Sequence, residues 1–133
     1  MTLGFPFVAL RGLAAVFVVL ALRAAVDPVG AFEPHLLDLT HANAATLAEL
    51  RAFYLGTMGT IAIFLWRFGG GGPRQRRDGH EMAALVLGLF AACRGYSLAV
   101  DGPTSNLASD LMWASEVLGA LLFLFLRSDE RRW

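Results

Sequence analysis

Between residues 49 and 68 the chain is apolar for long enough to cross a bilayer as one helix, yet it carries Arg51 near the start of that run. An arginine inside a span is costly unless something answers its charge, so the fold must deliver a partner. Three other segments have the same character, and the four run over residues 5–26, 47–68, 82–100 and 107–126. The reading is all-α: one four-helix transmembrane bundle occupying residues 1–133 as a single domain. Composition agrees, since 56% hydrophobic residues exceed the roughly 45–50% apolar content of a soluble domain. A cleaved signal peptide would need a basic start, whereas the first five residues hold no charged side chain and Arg11 and Arg23 interrupt the first apolar run.

The connections carry their own signals. Asp27-Pro28 is expected to end the first helix, because proline cannot continue it and restricts the residue before it. Asp101-Gly102-Pro103 is expected to end the third. Thr46 with Glu49 reads as a capping box opening the second helix, and Asp78 with Glu81 as its counterpart for the third. A short interfacial helix is expected around residues 32–39.

Zero net charge hides a strong segregation. All eleven basic residues are arginine, balanced by eleven acidic ones. The connection after the first span holds Asp27, Glu33 and Asp38 but no arginine, and the one after the third has none either. Arg67, Arg74, Arg76 and Arg77 cluster after the second span, and Arg127, Arg131 and Arg132 after the fourth. The positive-inside rule then places both termini and the Gly-rich connection on the cytoplasmic side.

Orientation converts position into depth. At about 1.5 Å per residue, Arg94 and Glu116 fall within roughly 4 Å of each other in depth, and Arg51 can reach the same level from nearer the outer surface. A lone charge there costs about 2.5–3.5 kcal/mol, which pairing offsets. The expected cluster is Glu116 with Arg94 and Arg51, supported by the hydroxyls of Tyr54 and Ser97, with Glu49, Asp101 and Arg23 toward the outer boundary. Met112, Glu116, Gly119, Ala120 and Phe123 share one helix face, expected to point inward. Arg11, in the inner half, is expected to snorkel to the cytoplasmic headgroups. The cluster reads either as a structural ion-pair network fixing helix register or as a pocket for a ligand or proton. Its surplus positive charge favours an anionic or carbonyl-bearing ligand.

Other features read more plainly. The run Gly69 to Gly72 followed by Pro73, Arg74, Arg76 and Arg77 lacks the lysine and strand of a phosphate-binding loop, and is expected to be a flexible basic linker beside anionic lipid. Ala52, Gly56 and Thr60, and likewise Ala84, Gly88 and Ala92, recur every four residues as stripes that let membrane helices approach. His35, Asp38 and His41 match no standard metal-ligand spacing, and none of the four segments has an interior histidine to hold haem. Cys93, the one cysteine, is expected to be a small core residue, and no cofactor or metal is expected. Faint echoes between the two halves, such as Val26-Asp27-Pro28 against Val100-Asp101 and Pro103, are compatible with duplicated hairpins.

With Glu49, Arg51, Tyr54 and Gly56 opening the second span, Arg94, Ser97, Asp101, Gly102 and Pro103 closing the third, and Glu116 in the fourth, the chain resembles the bacterial membrane proteins of domain-of-unknown-function family 4345. The resemblance covers nearly the whole chain and departs from the pattern at Leu55 and at the adjacent Gly102 and Pro103. It implies a four-helix integral membrane protein with no established activity. A more distant similarity to the DoxX-like membrane proteins implies an association with redox or quinone chemistry. The expectation is a non-enzymatic structural or accessory subunit, in contact with membrane lipids and with a larger membrane complex or its own copies, not nucleic acid. The alternative is a membrane pocket for a quinone-like or anionic lipid ligand. A proton-coupled exporter fits less well, since the small multidrug transporters carry their essential glutamate in a first helix that here holds only arginines.

Overall fold

The computed structural model describes residues 5–32, 44–100 and 107–129, of which 96% are helical, with no strand among them. The helices are α1 (Phe5–Val26), α2 (Pro28–Phe32), α3 (Ala44–Gly69), α4 (Pro73–Val100) and α5 (Leu107–Asp129). All but α2 are long and apolar enough to cross a membrane. Between 18% and 28% of each spanning window is buried, so most of the apolar surface faces outward, Val19, Ile63, Leu89 and Phe125 among it. Such a surface suits hydrocarbon and would be an aggregation liability in water.

The chain forms two compact units, Met1–Arg67 and Phe68–Trp133. In the first, α1 buries Leu10, Ala14, Phe17, Ala21 and Ala24, a stripe with alternating steps of four and three, and α3 buries Met58, Ala62 and Leu65 on the same spacing. Both stripes follow the alternating four-and-three spacing of one narrow helix face. Two contacts tie α1 to α3: Arg51 Nε donates to the Ala25 carbonyl at 3.0 Å, and the Arg11 guanidinium lies 4.6 Å from the Trp66 ring centroid. At 1.5 Å per residue these ties are about 21 Å apart along α1 and about 22 Å along α3. The match means that the two helices run antiparallel without slipping.

Asp27 ends α1 as expected, and Pro28 becomes the first residue of α2. The Asp27 carboxylate accepts from Gly30 N at 2.9 Å, capping α2, and Arg23 Nη2 donates to the Gly30 carbonyl at 3.1 Å. The short helix expected around 32–39 lies, beyond Phe32, outside the described residues.

The second unit is an antiparallel hairpin of α4 and α5. From the start of α4 to its end the cross-helix partners fall back along α5: Glu81 with Arg127, Leu87 beside Gly119 and Ala91 with Trp113, while His80 meets Phe123. Close approach comes from small residues. A Cβ on Gly119 would stand 2.8 Å from Leu87 Cδ1, and one on Gly88 would stand 4.0 Å from Ala120 Cβ.

Several boundaries differ from the sequence reading. α3 begins at Ala44, which puts Thr46 and Glu49 inside the helix rather than at a capping box. α4 begins at Pro73, nine residues before the expected start, so Arg74, Arg76 and Arg77 are helical and only residues 70–72 form the turn. Asp78 and Glu81 are therefore interior. The actual start has Pro73 in the first position, where a missing N–H is harmless, and Gln75 Oε1 accepts from Gly72 N at 3.3 Å. The stripe of Ala52, Gly56 and Thr60 is exposed, and Gly56 has open space where a side chain would project. Cys93 is exposed rather than a core residue.

Candidate functional site

Charged side chains inside helices long and apolar enough to cross a membrane define the site. α4 carries Arg94 and α5 carries Glu116, and the hairpin turns both toward its seam. Arg94 Nε lies 3.1 Å from Glu116 Oε1 and 3.0 Å from Oε2, so one N–H is shared between the two carboxylate oxygens. Burial is uneven: the Glu116 side chain is 9% exposed and that of Arg94 30%. Among the described residues Arg94 has no second partner, so its terminal nitrogens keep their donors. One turn earlier on each helix, Trp113 Nε1 donates to the Ala91 carbonyl at 3.0 Å, a second polar tie beside the ion pair. Gly95 lies beside this tie, where a Cβ would make an ordinary contact of 3.8 Å with the Trp113 nitrogen.

The face that holds Glu116 points inward. Glu116 and Phe123 are buried, Met112, Gly119 and Ala120 half-buried, and the face continues to buried Leu126. Ser97 lies one turn beyond Arg94 on α4 and is exposed.

The other expected site residues lie in the first unit or outside the described residues. Arg51 is exposed, and its hydrogen bond goes to a helix-end carbonyl instead of a carboxylate. The cause is local: α1 ends at Val26, and the last carbonyls of a helix lack intrahelical donors. A cation there also meets the negative end of the α1 dipole. Arg23 is exposed and bonded to the Gly30 carbonyl, so both arginines gather at the C-terminal end of α1. Tyr54 is half-buried on α3, its ring edge-on to Phe53 at 5.4 Å between centroids, and Glu49 occupies the second turn of that helix. Asp101 lies outside the described residues.

The family comparison covers this whole arrangement. Residues 8–127 match the family described as Domain of unknown function (DUF4345), a span that includes Arg51, Arg94 and Glu116. The chain belongs to this family. No match was found among curated proteins or among solved structures, so the DoxX-like similarity stays an expectation. Membership in DUF4345 joins four membrane-length helices to a family without an assigned activity.

Sequence reasoning missed His80 in this DUF4345 chain. It is fully buried in the third turn of α4, its ring 5.9 Å from that of Phe123. The signal was present in the Gly72-Pro73 helix start, which moves His80 from a supposed helix end into the interior. Nearby, Arg127 pairs with Glu81 at 3.0 Å. Among the described residues no group of three or more His, Cys, Asp or Glu side chains is placed to hold a metal ion, and His35, Asp38 and His41 lie outside them.

Proposed function

We propose that this chain is a small multi-pass protein of the bacterial inner membrane, with both termini and the 70–72 turn on the cytoplasmic side. It serves as a non-enzymatic structural or accessory component that packs against a larger membrane complex or its own copies, in contact with membrane lipid. The segregation of arginines to alternate connections supports the topology. The observation that carries the structural role is the Arg94–Glu116 contact, in which a buried carboxylate is matched to one arginine across a helix seam. Breaking such a pair strands a charge in a medium that cannot solvate it, so the pair fixes the register of α4 against α5.

A second reading is favoured by the unengaged terminal nitrogens of Arg94 beside a 30%-exposed side chain. These donors suit the carbonyl of a quinone-like molecule or the oxygens of an anionic lipid, and would make the site a redox-associated pocket of the DoxX-like kind.

Melting of the detergent-solubilised protein tests the first reading. Glu116→Gln and Arg94→Gln should each lower the midpoint, and the exchange of Arg94 and Glu116 should partly restore it. If neither single change matters, the structural role is lost. Mass spectrometry of small molecules co-purified from native membranes tests the second. Arg94→Lys keeps a charge for Glu116 but lacks the extra donors, so it should lose a bound species that the wild type retains.

A further inference from the structure

We propose that Arg11, Phe7 and Trp66 form a binding site for a phosphate anion, presented by an anionic phospholipid headgroup, at the end of the first unit where α1 starts and α3 finishes. The Arg11 carbon ζ lies 4.3 Å from the Phe7 ring centroid and 4.6 Å from that of Trp66. These are cation–π distances, and the two rings hold the guanidinium from two helices. Among the described residues Arg11 has no ion pair or hydrogen bond, and its Nε is buried without a partner. Neither helix supplies a neutralising carboxylate nearby. α1 contains no acidic residue, and Glu49, the one acid on α3, is about 25 Å along the helix from Trp66 at 1.5 Å per residue.

A cation clamped by rings keeps its donors in the guanidinium plane. That geometry suits an acceptor with two oxygens at matching spacing, such as phosphate. Depth identifies the source. Arg11 lies about 10 Å along α1 from the midpoint between the two α1–α3 ties, hence, with that midpoint at mid-bilayer, about 5 Å inside the edge of a hydrocarbon core about 30 Å thick, a distance its side chain spans. Trp66 is 53% exposed, as suits an aromatic at headgroup level, and Arg67 beside it adds positive charge. The inference rests on the membrane reading but not on the Arg94–Glu116 pair.

The test is native mass spectrometry of the full chain in detergent, titrated separately with phosphatidylglycerol, phosphatidylcholine and inorganic phosphate. Wild type should prefer phosphatidylglycerol to phosphatidylcholine. Arg11→Gln should weaken phosphatidylglycerol binding about tenfold and Arg11→Lys less. Circular dichroism of each variant confirms that helix content is kept, and Arg11→Lys preserves the charge should Arg11→Gln fold poorly. If inorganic phosphate binds wild type and Arg11→Gln abolishes it, the same site draws its anion from solution instead of lipid. Equal phosphatidylglycerol binding by wild type, Arg11→Gln and Arg11→Lys would overturn the site. A chain that is monodisperse in water without detergent would instead defeat the membrane reading beneath it.

Discussion

Arg51 and Arg94 are both arginines in apolar helices, yet the chain answers their charges by different chemistry. Arg94 meets a carboxylate 3.0 Å away whose side chain is 9% exposed, whereas Arg51 meets the Ala25 carbonyl from an exposed position. The consequences of removal should differ accordingly. Arg94→Gln strands the more buried partner and should cost about 3–5 kcal/mol, more than Glu116→Gln, which strands an arginine able to extend toward polar surroundings. Arg51→Gln removes a charged donor from a helix end and should cost about 0.3–1 kcal/mol. Unfolding of the three variants in one detergent checks the order, and an Arg51→Gln loss as large as that of Arg94→Gln would tell against it. Depth arithmetic on the sequence placed Arg94 and Glu116 at one level. It points Arg51 toward the same carboxylate because carboxylates are visible in a sequence, while a helix-end carbonyl without an intrahelical donor becomes visible only once the helix end is built.

The same contrast holds for whole helices. Four apolar runs marked the four spans, since length and hydropathy depend on composition alone. The start of α4 was not read correctly, because Asp78 and Glu81 imitate a capping box while Gly72 has no capping side chain to advertise itself. The start is instead made by Pro73 and the reach of Gln75 back to Gly72 N. Gln75→Ala should therefore speed amide exchange at Gly72 without altering the α4–α5 seam, measured by hydrogen–deuterium exchange. The seam depends on a different pair. Any side chain on Gly119 must displace the Leu87 Cδ1 methyl, so the bulky Gly119→Leu should destabilise the hairpin by about 1–3 kcal/mol through overpacking. Leu87→Ala in the same chain should recover part of that loss, and full additivity in a double-mutant cycle would show that the two side chains do not meet. Which of the small-residue stripes would pack could not be read from spacing, since both repeat every four residues. The stripe bearing Gly56 faces outward and Ala84 is buried, a distinction set by which helix face the partner covers.

At the scale of the molecule, the outward apolar surface and the distribution of arginines make one joint claim that a single native cysteine lets chemistry test. Cys93 is exposed, yet it lies within the spanning segment of α4, so the surroundings it meets should be hydrocarbon and not water. A thiol reacts as the thiolate, which needs water, so a membrane-impermeant maleimide should fail to label Cys93 in intact membranes and should succeed once the protein is unfolded in sodium dodecyl sulfate. Replacing Cys93 by alanine then clears the background for sidedness. Gly72 is exposed with open space around its Cα, so Gly72→Cys is accommodated in the α3–α4 turn, and exposed Ala44→Cys marks the opposite end of α3. With arginines holding their connections on the cytoplasmic side, Ala44→Cys should be labelled from outside, and Gly72→Cys only after the inner membrane is opened. Rapid labelling of wild-type Cys93 in intact membranes would show that its face is wet, and the four apolar helices would then need partners other than lipid. Labelling of Gly72→Cys from outside would invert the topology and place the Arg11 site at the opposite membrane surface.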